Sequence, residues 1–262
     1  MKERQIETAY RARFDERRHS ADVLDRMHQD LAVVTEVEAR AWLIAVGRPR
    51  VSPAAATRWD RSEAGRMIES ASARSLTYAR RTAVRPLEIV DRRNPRPGLR
   101  RQVAAGLPSN PSWLDAQVSI HFDGAVSVAF ALGGLRSGPD DYYPAWEFDS
   151  TAVEGAVADF MALVREVGAE LGSVDYEVRI GIDRIGTERM IMHSLDGHGL
   201  RYSGASTPIY RFIPVEATVE VGDTDEGWFH QVRELARDCI NQGGLTSLQT
   251  LASCPREECS AE

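Results

Sequence analysis

The chain has 262 residues, 43% of them hydrophobic and 27% charged, and carries a formal net charge of −7. That is enough for one large domain or two small ones around a substantial core, with the composition of a soluble globular protein. No run of about 18 apolar residues is present, and the opening MKERQIETAYRARFDERRH lacks the apolar stretch of a secretory signal, so no membrane partner and a cytoplasmic location are expected.

In chain order, residues 1–35 predict a long charged helix. Ile6, Tyr10, Phe14 and Leu24 recur at helical spacing with Ala21, Met27 and Leu31, a stripe suited to a protein partner or to self-association. Residues 36–101 form a basic α/β segment: an apolar strand over AWLIAVGRP, a helix from about Arg61 to Ser75, and a short strand at Leu87–Val90. Pro95, Pro97, Pro108 and Pro111 mark 94–111 as exposed loop, and 102–112 is the expected linker.

An acidic α+β domain is expected over 113–246, with a tail at 247–262. WLDAQVSIHF and AVSVAFAL alternate around Asp123-Gly124, a hairpin signal. PAWEF is a further strand, and a helix over 151–171 buries Val153, Val157, Phe160, Val164, Val167 and Leu171, with Thr151 and Glu154 as a capping box and Gly172 as its stop. The plan then repeats: YEVRIGID, RMIMHSL, the turn Asp196-Gly197, LRYS, YRFIPVEATVEV and a helix over 225–242 that buries Trp228, Val232, Leu235, Cys239 and Ile240. The fold class is therefore α+β, mostly antiparallel hairpins covered by helices, in two related strand-strand-strand-helix units behind a long N-terminal helix.

Charge is distributed unevenly. Residues 40–101 hold 15 arginines against 5 acids, a net of +10, whereas 102–262 hold 10 arginines against 25 acids, a net of −15. The densest stretch, RRNPRPGLRR, carries Arg92, Arg93, Arg96, Arg100 and Arg101, which are the candidate contacts for nucleic-acid phosphates or for a partner protein. The competing expectation is that the basic segment docks on the acidic half of the same chain. No aromatic residue interleaves the run, so base stacking has no support.

Enzyme signatures are weak. His121, His193 and His198 with Asp123 or Asp196 suggest a metal or acid–base site, but the histidines at Asp-Gly hairpins read first as turn residues. There is no GxSxG elbow, GxxxxGK[ST] loop or GxGxxG loop, and no cofactor is implied. Cys254 and Cys259 in CPREEC have no second ligand pair, so no metal is expected; Cys239 reads as a buried apolar residue. Asp238, Asn241 and Gln242 read as solvated polar groups at a helix end, and Tyr142, Tyr143 and Trp146 as packing or an interface.

The order of IETAYRARFDERR, AWLIAVGRP, an arginine-rich stretch and an acidic α+β region ending in DCINQGG resembles the C-terminal region of actinobacterial proteins carrying an AlbA-like, schlafen-type DNA-binding domain. That domain precedes the Tyr10–Phe14 helix in those proteins and is absent here. The resemblance therefore implies the companion region encoded alone, a truncated homologue or a split partner, without inherited catalytic residues. The expected function is a non-enzymatic accessory or interaction protein of a DNA-linked or regulatory system. The alternatives are direct, sequence-nonspecific nucleic-acid binding by residues 40–101, and a hydrolase or metal enzyme using His121, His193 and His198.

Overall fold

In the computed structural model, which describes residues 21–35, 37–51, 57–79, 84–107, 115–134, 144–172, 174–195, 201–202 and 206–251, the apolar strand near the start of the chain lies at the centre of the fold. The helices are α1 (21–34), α2 (Arg61–Tyr78), α3 (Pro86–Ile89), α4 (Ser150–Glu170) and α5 (Asp225–Asn241). The strands are β1 (Trp42–Pro49), β2 (Arg96–Gly98), β3 (Arg101–Ala105), β4 (Ala116–His121), β5 (Val126–Ala131), β6 (Glu147–Asp149), β7 (Tyr176–Asp183), β8 (Ile191–Leu195), β9 (Arg201–Tyr202) and β10 (Val215–Val219).

Seven strands form one antiparallel sheet in the order β10-β7-β1-β5-β4-β3-β2. β1 is apolar at nearly every position because both faces of the sheet are covered there. Leu43 and Ala45 point into the main core with α2, α3, α4 and α5, whereas Trp42, Ile44 and Val46 pack with Leu24 and Leu31 of α1 on the opposite face. Each fully buried Leu or Ile in such a core contributes about 1.5–3 kcal/mol. α4 is buried along most of its length because α2 and α5 flank it and the sheet lies beneath it. The α+β class thus holds, with helices on both faces of an antiparallel sheet. Among the described residues, no helix is long and apolar enough to cross a membrane.

Two glycines are required by geometry. Gly124, at φ +85, closes the β4–β5 hairpin in the left-handed region where other residues are strained. Gly181 lies beneath the His28 ring, and a Cβ there would stand 2.7 Å from Cε1. His28 of α1 consequently reaches Asp183 of β7, Nε2 to Oδ2, at 2.7 Å. Arg179 of β7 also pairs with Asp25 of α1 at 2.7 Å.

Several expectations are corrected. Leu24, expected on a partner-facing stripe, is buried against the chain's own sheet; Ile6, Tyr10 and Phe14 lie outside the described residues. Residues 87–90 are not a strand: Pro86 fits the first position of the single turn α3, and only Val90 bridges, to Gly106. The expected linker 102–112 begins inside β3, so the basic segment and the acidic region share one sheet. Pro97 sits in β2, where an edge strand tolerates a residue without an N–H. The two expected units share their order of elements but not their sheets. The β4–β5 hairpin belongs to the seven-stranded sheet, whereas β8–β9 joins β6 in a separate three-stranded sheet, with β6 parallel to β8. The Thr151–Glu154 capping box is also absent: α4 starts one residue earlier, with Asp149 at the N-cap and no side-chain cap bond.

Candidate functional site

RRNPRPGLRR leaves the side of α2 and turns onto the open edge of the seven-stranded sheet, and its five arginines divide accordingly. Arg92 Nη1 donates to Ser72 Oγ at 2.5 Å, and Arg93 Nε meets Glu69 Oε1 at 3.2 Å while its side chain stays 87% exposed. Arg101 is half-buried in β3, directly across from His121. Arg96 and Arg100 are exposed and, among the described residues, make no ion pair. Leu99 stands beside Arg100 and is 90% exposed.

Arg100 has φ +55, the one described residue other than glycine in the left-handed region. That conformation costs an L-residue about 1–2 kcal/mol. It is held in place because the Phe122 amide donates to the Arg100 carbonyl at 3.0 Å, tying this tip to the β4–β5 turn. A second tie orients the start of α2. Trp59 Nε1 donates to the His121 carbonyl at 3.2 Å, and Gln102 Nε2 donates to the Trp59 carbonyl at 3.0 Å. Asp60 and Glu63 then close a capping box, each side chain accepting from the other's amide at 2.8 Å. The exposed Arg58 and Arg61 are thereby fixed at this end of α2, and an open cleft of about 580 Å³ lies between Asp60, Arg61, Ser62, Arg93 and Asn94.

Other arginines of the basic segment are engaged by acidic side chains of α4. Arg66 pairs with Glu170 at 2.8 Å, and Arg74 with Glu166 at 2.5 Å, where Ser70 Oγ donates to the second oxygen at 2.8 Å. Arg85 is fully buried; Nη1 donates to Ser75 Oγ at 3.1 Å, and that hydroxyl donates to Asp159 Oδ1 at 2.5 Å. The Leu87 amide completes the Asp159 carboxylate at 2.7 Å. Burial pushes the Asp159 carboxyl up to about 6, against the opposing pull of Arg85. Part of the +10 zone therefore neutralises the acidic face of α4 within the chain.

The three histidines are not assembled into one site by the described residues. His121 ends β4 beside Arg101, and burial holds its pKa below the ordinary histidine value, with Asp123 opposing and Arg101 reinforcing the shift. Asp123 Oδ1 accepts from the Ala125 amide at 3.1 Å, the bond of a turn residue. His193 lies in β8 of the other sheet, its Nε2 at 2.8 Å from Glu147 Oε2; burial lowers its pKa and Asp149 opposes that shift. His198, Asp196, Cys254, Cys259, Tyr142 and Tyr143 lie outside the described residues. Cys239 is buried in the core, which pushes its thiol far up. Among the described residues, no three His, Cys, Asp or Glu side chains are grouped to hold a metal ion.

Two polar residues have roles that local reading missed. Glu154, fully buried, accepts from the amides of Gln249, Thr250 and Leu251 and from the Thr250 hydroxyl, fastening residues 249–251 onto α4. Gln242, read as solvated, accepts from the Ile213 amide and donates to the Ile213 carbonyl, both at 2.8 Å. Trp146 lies under the Arg184 guanidinium at 5.3 Å. An apolar neighbourhood or an i, i+3 rule could have found neither long-range partner; a buried Glu at a core-facing helix position was the available signal for Glu154.

No family model, curated protein or solved structure matches the chain. The β2–β3 hairpin tip presents two exposed arginines around one exposed leucine.

Proposed function

We propose that the protein is a non-enzymatic interaction module that docks an acidic partner protein through Arg96, Leu99 and Arg100 at the tip of the β2–β3 hairpin. The observation that carries this reading is the left-handed backbone of Arg100, an arginine held where glycine would be relaxed, at an exposed tip. Local strain kept at an exposed position is a feature of binding sites. The exposed Leu99 adds an apolar anchor between cations. The link to a DNA-associated or regulatory system rests on the sequence resemblance alone.

A second reading, direct binding of nucleic-acid backbone, is favoured by one arrangement: exposed Arg61 and Arg93 border one open cleft, and exposed Arg58 lies two residues before Asp60 of its lining. Fluorescence anisotropy with labelled duplex and single-stranded DNA, at low and physiological salt, separates the readings. Protein docking predicts no saturable binding at physiological salt, together with a discrete adduct from a photo-crosslinker at position 99 in cells of the source organism that disappears in Arg96→Ser/Arg100→Ser. Binding that falls steeply with salt and is lost in the same variant replaces protein docking with the second reading. The absence of both adduct and DNA binding overturns the assignment of the tip.

A further inference from the structure

The seven-stranded sheet has two edges of opposite character. At one edge β2 is three residues long, contains Pro97 and is flanked by arginines, the features that prevent strand addition. At the other edge β10, Val215-Glu216-Ala217-Thr218-Val219, is five residues long with no proline, glycine, lysine or arginine. Among the described residues it pairs only with β7. Just beyond its ends, α5 already satisfies the backbone: Gln242 holds both polar groups of Ile213, and Gln231 accepts from the Glu220 amide at 3.0 Å. Among the described residues, the chain on either side of β10 is thus tied to α5, while β10 itself has a free edge.

We infer that the β10 edge is a homodimer interface, in which a second copy of this chain adds its own β10 antiparallel about a twofold axis through Ala217. Such an axis sets Val215 opposite Val219 and Glu216 opposite Thr218, so no residue meets its own charge. Glu216 is already paired with Arg179, which removes the cost of bringing a bare carboxylate to the seam. Beside the strand, Ile213 and Tyr210 are 71% and 74% exposed, and Arg189 stacks on the Tyr210 ring at 4.7 Å. They supply apolar area that five residues of backbone pairing lack. A seam of this size gives a weak dimer, with Kd on the order of micromolar or above.

The test is sedimentation equilibrium of the full chain from about 1 µM to about 1 mM, a range set by that expectation. It compares the wild type with Thr218→Glu and Thr218→Lys. Position 218 is exposed in one copy, and the proposed twofold places it opposite Glu216 of the other, twice per dimer. Thr218→Glu is expected to weaken dimerisation about tenfold and Thr218→Lys to tighten it about tenfold. Circular dichroism melts of both variants at low concentration confirm that each is folded. A folded wild type that stays monomeric up to about 1 mM, or a dimer whose Kd moves in neither direction, overturns the proposal. Neither variant touches Arg96, Leu99 or Arg100, so failure here is independent of the hairpin-tip reading.

Discussion

The arginines of α2 and α3 and those of the β2–β3 tip come from the same basic segment but meet opposite surroundings. Arg74 and Arg85 are received by Glu166, Ser75 and Asp159, whereas Arg96 and Arg100 face solvent at the sheet edge. A net charge counted along the chain treats them alike. In the fold, the first set is paired with acidic side chains of α4 and the second faces solvent, so the first is expected to contribute to stability and the second to leave it almost untouched. Charge in a sequence therefore has to be sorted by where its counter-charge lies before it is read as an interface.

The strongest way to sharpen that contrast is Asp159→Ala. It leaves the buried Arg85 with Glu88 as its one remaining counter-charge among the described residues and removes the acceptor of Ser75 and Leu87, so a loss of about 3 kcal/mol is expected in urea unfolding. The pH dependence of the same site is next. The folded Asp159 carboxyl titrates near 6, above its ordinary value, so the folded state binds more protons between about pH 4 and 6. Its contribution favours folding at the acid end and is lost as pH rises through about 6, by about 3 kcal/mol in all. Subtracting the Asp159→Asn stability profile from the wild-type profile isolates this limb; a flat difference between pH 4 and 7 refutes it.

Smaller effects follow. Arg74→Ala, at a part-exposed pair, should cost about 1 kcal/mol or less in the same assay. Arg100→Gly relaxes the left-handed residue and should leave stability unchanged or raise it by up to about 1 kcal/mol, while weakening partner contact. Arg96→Ser/Arg100→Ser should move Tm by no more than about 2 °C yet abolish the crosslink at position 99. A large fall in Tm for this last variant would erase the distinction between the two sets.

Much of the architecture was legible locally. YEVRIGID alternates and is β7; the apolar stripes of α4 and α5 are buried as their spacing requires; Asp-Gly closes the β4–β5 hairpin. Partnership between distant segments was not. Nothing in AWLIAVGRP says that its neighbours are β5 and β7, and nothing in MHSLDG says that its hairpin leaves the main sheet. Glu154 satisfies the spacing of a capping box, yet the four donors of residues 249–251 outcompete one amide at the helix start. The candidate tip was half legible: Arg96 and Arg100 stand exposed as their charge suggested, whereas the engagement of Arg92 with Ser72 and Arg93 with Glu69 depends on a helix some twenty residues earlier.

The central position of β1 also has a consequence for biosynthesis. Its two strand partners are encoded far downstream, β5 at Val126–Ala131 and β7 at Tyr176–Asp183. At a synthesis rate of about 5–20 residues per second, β1 waits about 6–25 s after translation before β7 begins to be made. Throughout that interval an eight-residue apolar segment has an unfilled strand position beside it, so the nascent chain, rather than the finished protein, is the state most in need of a chaperone.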